Sequence, residues 1–169
     1  MYNMQLTENL NLTREWDKVF KLSYKVSHKK VCYVNRYGIT LAADLYKPKD
    51  LQPGQKLPAL AVGSPYGAVK EQAAGIFAMN MAERGYITLA FDPSFNGESG
   101  GNTRLVSSPD INTEDFCASV DYLSCLDEVD ANKIGIIGIC GFGGLAISAE
   151  AIPTRRACPS LARQTLRTF

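Results

Sequence analysis

One histidine in 169 residues is the first scarcity of this chain, and it stands at position 28. Any acid–base chemistry that needs an imidazole has only that one to draw on. Charge of one sign is missing as well. Eighteen Lys and Arg against seventeen Asp and Glu leave a formal net charge of +1. That balance gives no basic footprint for nucleic acid and no field for a membrane surface, so neither partner is expected. No apolar run reaches the roughly 18 residues of a membrane span. The opening MYNMQLTENLNLTREWDKVF has no signal-peptide core. The five cysteines (32, 117, 125, 140 and 158) are odd in number and include no Cys-x-x-Cys pair. A disulfide framework or a zinc site is therefore not expected, and a cytoplasmic location is.

What is present is ordinary for one globular domain: 46% hydrophobic and 21% charged residues, with no internal repeat. Residues 1–22 read as a mobile or loosely docked lead-in, and 23–152 as the body. KVSHKKVCYVNRYGITLAADLYKP gives two β-like runs about the turn Asn35–Gly38, a hairpin pattern. LPALAVGSP and YITLAF are short continuous apolar runs, the form of strands buried on both faces. Between them Ala74, Phe77, Ala78, Met81 and Ala82 mark one face of a helix over Glu71–Arg84, which Gly85 stops. Asn112 is the expected N-cap of a second helix, whose inner face is Phe116, Val120, Leu123 and Leu126. Cys117 and Cys125 on that helix read as packing residues. KIGIIGI is a third buried strand. Alternating strands and helices after a hairpin predict an α/β fold with a doubly wound sheet.

Residues 153–169, PTRRACPSLARQTLRTF, break the pattern with four arginines, no acid and no strand-like run. Pro153 stops the preceding helix. No further strand is expected from this tail.

The last regular stretch, IGIIGICGFGGLAISAEAI, runs from a strand through a glycine-rich turn into a helix, with Cys140 at the apex. A sharp strand-to-helix turn strains its apex residue and needs small neighbours two positions away, and in return presents the apex side chain above the sheet. The helix N-terminus there favours an anion and aims N–H groups at a developing oxyanion. Gly138 meets the small-neighbour demand, while on the helix side Phe142 sits among Gly141, Gly143 and Gly144. A buried structural cysteine fits the same letters. A dinucleotide-binding loop fits worse: after Gly138 the glycine spacing fails, and no acid follows at the end of a second strand.

The order of motifs raises the nucleophile reading of the turn. RYGITLAADLYKP, LPALAVGSPYGAVKEQ, MAERGYITLAFDPSFNGESGG, SPDINTEDFCASVDYL and IGIIGICGFGG together resemble the α/β-hydrolase superfamily, specifically its dienelactone-hydrolase-like and Xaa-Pro-peptidase-like members. The resemblance covers roughly residues 36–152. It implies an α/β-hydrolase sheet and acyl hydrolysis of an ester, thioester, lactone or amide, with a small-molecule acyl substrate and no metal or cofactor. It implies that Cys140 is the nucleophile, and that the oxyanion is held by the N–H of Gly141 and one from GSPYGAVKEQ. Tyr66 is the choice there, because Pro65 has no N–H to give. Gly138, Gly143 and Gly144 would be structural. Asp92, Gly97 and Ser99 match the family's Asp…Gly…Ser loop, with Asp92 read as structural.

Relatives place an acid and then a histidine after the nucleophile. Here the 29 residues after Cys140 hold no aspartate and no histidine, and their one acid is Glu150. His28 reads as a solvated strand histidine among lysines. The expectation is therefore a chain cut short or frameshifted near Ile152, its catalysis impaired for want of a triad. Two other readings stand beside it: a non-catalytic chain that self-associates, or pairs with a full-length relative, through an exposed sheet edge; and a redox-sensitive thiol protein.

Overall fold

The computed structural model describes residues 8–151 and the backbone of 167–168. Strands β1 (Val26–Val34) and β2 (Thr40–Pro48) form the expected antiparallel hairpin. The Gly38 N–H closes its turn on the Asn35 carbonyl at 3.0 Å, with Gly38 at φ +79°, a conformation that suits a residue without Cβ. Then follow β3 (Leu57–Gly63), α1 (Ala73–Ala82), β4 (Ile87–Phe91), α2 (Pro109–Ser124), β5 (Val129–Gly138) and α3 (Phe142–Ala151). With β6 (Arg167–Thr168), the sheet order is β1-β2-β4-β3-β5-β6, antiparallel from β1 to β4 and parallel from there on.

Two cores follow from the two faces of the sheet. On one face Leu41, Leu45, Leu89, Phe91 and Ile136 pack under α2 and α3. On the other, Tyr46, Leu60 and Val62 meet the alanines 74, 78 and 82 of α1. The helix faces differ in detail from the sequence pattern. Phe77, expected inward, is half-exposed, because α1 approaches through Ala74, Gly75 and Ala78. A Cβ at Gly75 would collide with the Lys70 carbonyl, so a small residue is required there. Helix α2 starts earlier than Asn112: Ser108 is its N-cap and Pro109 opens it, where a missing N–H costs nothing. The Asn112 side chain instead accepts from the Ser107 hydroxyl and the Ser108 N–H and donates to Asp115. Cys117 is buried in α2, and its thiol is pushed up to about 12, chiefly by burial. Cys125 caps the same helix, its N–H donating to the Tyr122 carbonyl.

Residues 8–22 are tied down, in contrast to the loose lead-in expected. Lys18 is buried and pairs with Asp44 at 3.0 Å and Asp17 at 2.8 Å. The Val19 N–H donates to the Glu71 carbonyl, and Glu8 accepts from the N–H groups of Thr40 and Gly101. Polar contacts at irregular spacing hold this segment, and periodicity does not report those. A second correction concerns the tail. Arg167–Thr168 form a two-residue strand, β6, parallel to β5 at Gly135 and Ile136. Two backbone positions can pair without an apolar run. Residues 152–166 and 169, with Cys158, lie outside the described residues. No helix among those described is long and apolar enough to cross a membrane.

Candidate active site

Strand β5 ends at Gly138 and α3 begins at Phe142, so three residues make the whole turn. Cys140 takes φ +58° within it and is exposed. A left-handed non-glycine residue costs on the order of 1–3 kcal/mol and persists only where its surroundings enforce it. Here the Phe142 N–H donates to the Ile139 carbonyl at 3.2 Å, the Gly143 N–H to the Cys140 carbonyl at 3.0 Å, and the Ile139 N–H to Gly63 at 3.3 Å. Phe142 itself points into the core, buried and edge-on to Tyr66 at 5.0 Å, with Phe116 at 6.0 Å. Its bulk therefore anchors the turn rather than crowding the apex.

The glycines divide by what a side chain would meet. A Cβ at Gly138 would strike the Phe142 carbonyl, and one at Gly141 would strike the Tyr66 ring. Gly143 would meet only the Gly138 carbonyl, at 3.5 Å, and Gly144 nothing within 4 Å. Steric need thus falls on Gly138 and Gly141.

Tyr66 reaches the turn from the loop after β3. The Ala68 N–H donates to the Pro65 carbonyl at 3.0 Å, closing a turn with Gly67 at φ +73° in its third position, as a type II turn requires. Among the described residues neither the Tyr66 nor the Gly141 N–H donates to a protein acceptor.

The loop after β4 is built on buried charge. Asp92 is fully buried and accepts from the Lys70 N–H at 2.8 Å, the Lys70 ammonium at 2.7 Å and the Glu98 N–H at 2.8 Å. Gly97 has no room for a Cβ beside that carboxylate. The Ser99 hydroxyl donates to the Asp92 carbonyl and accepts from the Ala42 N–H. Burial disfavours the Lys70 ammonium, but Asp92, Glu71 and Glu98 outweigh it and raise its pKa. Asp17, Glu71 and Glu98 place carboxylate oxygens within 4.8 Å of one another. The ammonium groups of Lys30 and Lys70 already lie among them, which makes this a salt-bridge network. Deeper still, burial pushes the Asp115 carboxyl up, opposed by donors from Ser94, Asn35 and Asn112.

His28 is not the solvated residue expected. Its Nε2 lies 2.7 Å from Asp44 Oδ1, and its ring packs between Trp16 and Tyr46. It belongs to β1, four strand spacings from β5, about 19 Å across the sheet. A groove of about 580 Å³ opens beside it, lined by Leu12, Trp16 and Lys29 among others, and does not include Cys140. Lys70, Asn35, Asn96 and Asp115 were not singled out by sequence. The only trace of Lys70 was a charged pair, Lys-Glu, in an otherwise apolar approach to α1.

Residues 37–158 match the family model of the X-Pro dipeptidyl-peptidases (S15 family). The chain belongs to that family. It is 61% identical over 153 residues to the uncharacterized protein PA2218 of Pseudomonas aeruginosa, covering 90% of this chain and 40% of that one. The crystal structure of PA2218 superposes with a TM-score of 0.85 at 57% identity, over 95% of this chain and 48% of that one. YcjY of Escherichia coli is 41% identical over 131 residues, 76% of this chain and 42% of its own. The thiohydrolase aneE of Aspergillus aculeatus is 33% identical over 98 residues, 58% of this chain and 31% of its own. The α/β hydrolase GrgF from Penicillium shares the fold, with a TM-score of 0.68 at 24% identity over 78% of this chain and 44% of that one. The S15-family chain spans about two fifths of the length of the first two of these relatives.

Proposed function

We propose that this chain carries the nucleophile half of an acyl-transfer site, with Cys140 forming a covalent acyl intermediate on an ester or thioester substrate. The observation that carries the reading is Cys140 itself: an exposed thiol held at φ +58° directly before α3. The thiohydrolase among its relatives supports a substrate of the acyl class. In the proposed step the thiolate attacks the carbonyl carbon and forms a C–S bond. The oxyanion collapses, the C–O or C–S bond to the leaving group breaks, and a thioester remains on Cys140. The N–H groups of Gly141 and Tyr66 hold the oxyanion. Release by water needs a general base. His28 lies against Asp44 on β1, four strand spacings from β5, and is not placed to serve Cys140, so the reading assigns these residues the acylation step.

The test follows p-nitrophenol released from p-nitrophenyl acetate. The reading expects at most one equivalent per chain, lost in Cys140→Ala. Release unchanged by that substitution would overturn it.

A second reading, self-association, is favoured by the outer edge of β5. Of its ten residues, two pair with β6 among those described. Backbone N–H and C=O groups left unpaired along a sheet edge are a pairing template. Sizing chromatography that gave only monomer at high concentration would remove this reading.

A further inference from the structure

The loop that presents Tyr66 is held by side chains from its neighbour. Asn96, nearly buried, donates through Nδ2 to the Ala68 carbonyl at 3.0 Å. Ala68 is the residue whose N–H closes the turn containing Tyr66. Two residues further on, Lys70 is fixed twice to one carboxylate, N–H to Asp92 Oδ1 and ammonium to Asp92 Oδ2. Its ammonium also reaches Glu98 at 2.7 Å, and Glu98 in turn takes Lys30 of β1 at 2.6 Å. Asn96, Asp92 and Glu98 all belong to the loop after β4, which Ser99 locks to β2.

A fully buried lysine among carboxylates is a costly way to gain stability, because desolvation offsets most of the Coulomb attraction. What it does supply is position. Both anchors fall within four residues C-terminal to Tyr66, on the side where β3 no longer supports the chain. At the other end the Tyr66 ring rests against Gly141. The arrangement is a bridge from the β4 loop through the β3 loop to the Cys140 turn.

We infer that Asn96 and the Lys70–Asp92 pair are positioning residues that set the Tyr66 N–H beside the Gly141 N–H, so that both face the oxyanion of an acyl group on Cys140. The inference rests on the reading of Cys140 as acyl acceptor. Its physical basis is the narrow tolerance of an oxyanion donor: displacement by about 1 Å can cost a hundredfold in rate, comparable to losing the donor.

The experiment compares two reactions of the same thiol in the folded chain. Acylation by p-nitrophenyl acetate builds an oxyanion. Alkylation by iodoacetamide displaces iodide at a CH₂ group and builds none. In Asn96→Ala the acylation rate should fall on the order of tenfold or more, with the alkylation rate within about twofold of the parent. Lys70→Met should do the same where circular dichroism shows it folded. A parent that acylates on Cys140 while Asn96→Ala keeps the same ratio of rates would overturn the inference and leave the Cys140 reading standing. A parent that alkylates but never acylates on Cys140 would overturn both. A loss of both rates together would show general loosening of the turn and would also count against a positioning role.

Discussion

The Tyr66 ring lies against the Cα of Gly141, so closely that a Cβ at 141 would collide with its Cδ2 and Cε2 atoms. Residues 75 apart in sequence thus meet at the helix N-terminus that follows Cys140, and the contact joins the β3 loop to the β5–α3 turn.

Three glycines at the turn should respond differently to alanine. Gly141→Ala must push Tyr66 away and should slow acylation of Cys140 on the order of tenfold. Gly138→Ala forces a methyl against the Phe142 carbonyl, backbone that cannot move cheaply. It should cost about 1–3 kcal/mol of stability. Gly144→Ala meets nothing within 4 Å, lies in α3 and should stabilise by about 0.5–1 kcal/mol. Urea denaturation checks Gly138→Ala and Gly144→Ala, and the acylation rate checks Gly141→Ala. A destabilising Gly144→Ala would contradict it.

Acid should act through Glu98. Burial pushes this carboxyl up, but hydrogen bonds from Lys30, Lys70 and the Thr13 N–H outweigh it and bring it to about 2, below the ordinary 4.5. A carboxyl depressed in the folded state stabilises above its unfolded pKa and loses that contribution as pH falls through its folded pKa. The stabilisation is therefore complete above about pH 4.5 and drains away toward pH 2. Asp92 and Asp115, raised by burial, change in the opposite sense. Glu98→Gln should be less stable than the parent at pH 6, and the gap should narrow at pH 3. A gap that stayed constant between the two would show that Glu98 does not carry the acid sensitivity.

His28 should matter to the fold and not to the thiol. It lies 2.7 Å from a fully buried carboxylate and packs on Trp16 and Tyr46. His28→Ala should cost about 1–3 kcal/mol, the usual consequence of leaving a buried acceptor short of a partner. Iodoacetamide alkylation of Cys140 should stay within about twofold. A large drop in that rate under conditions where the variant is folded would place His28 in the chemistry after all.

The sheet was legible because its strands are short apolar runs separated by glycine and proline, and a parallel sheet buried on both faces writes itself in that form. The apex position of Cys140 was legible from Gly138 and the run of glycines after it. The charge network was not. Lys70, Lys30 and the pair Asp92 and Glu98 come from three segments, and no periodicity links a loop lysine to a strand-end aspartate. Phe77 misled for a related reason: a 3.6-residue pattern fixes the apolar stripe of α1, but the close approach at Gly75 chose which part of it faces the sheet. His28 was misjudged because Asp44, its partner across the hairpin, sits on an otherwise apolar strand whose register the sequence did not disclose.

Peptide mapping by mass spectrometry after brief exposure to p-nitrophenyl acetate tests the central claim most directly. Cys140 is exposed at the turn, whereas Cys117 is buried with its thiol pushed up to about 12. The account predicts an acetyl thioester on Cys140 well ahead of Cys32, Cys117 and Cys125, and no such preference once the chain is unfolded in urea. Acetyl groups spread over the cysteines without favour to Cys140 in the folded chain would contradict it.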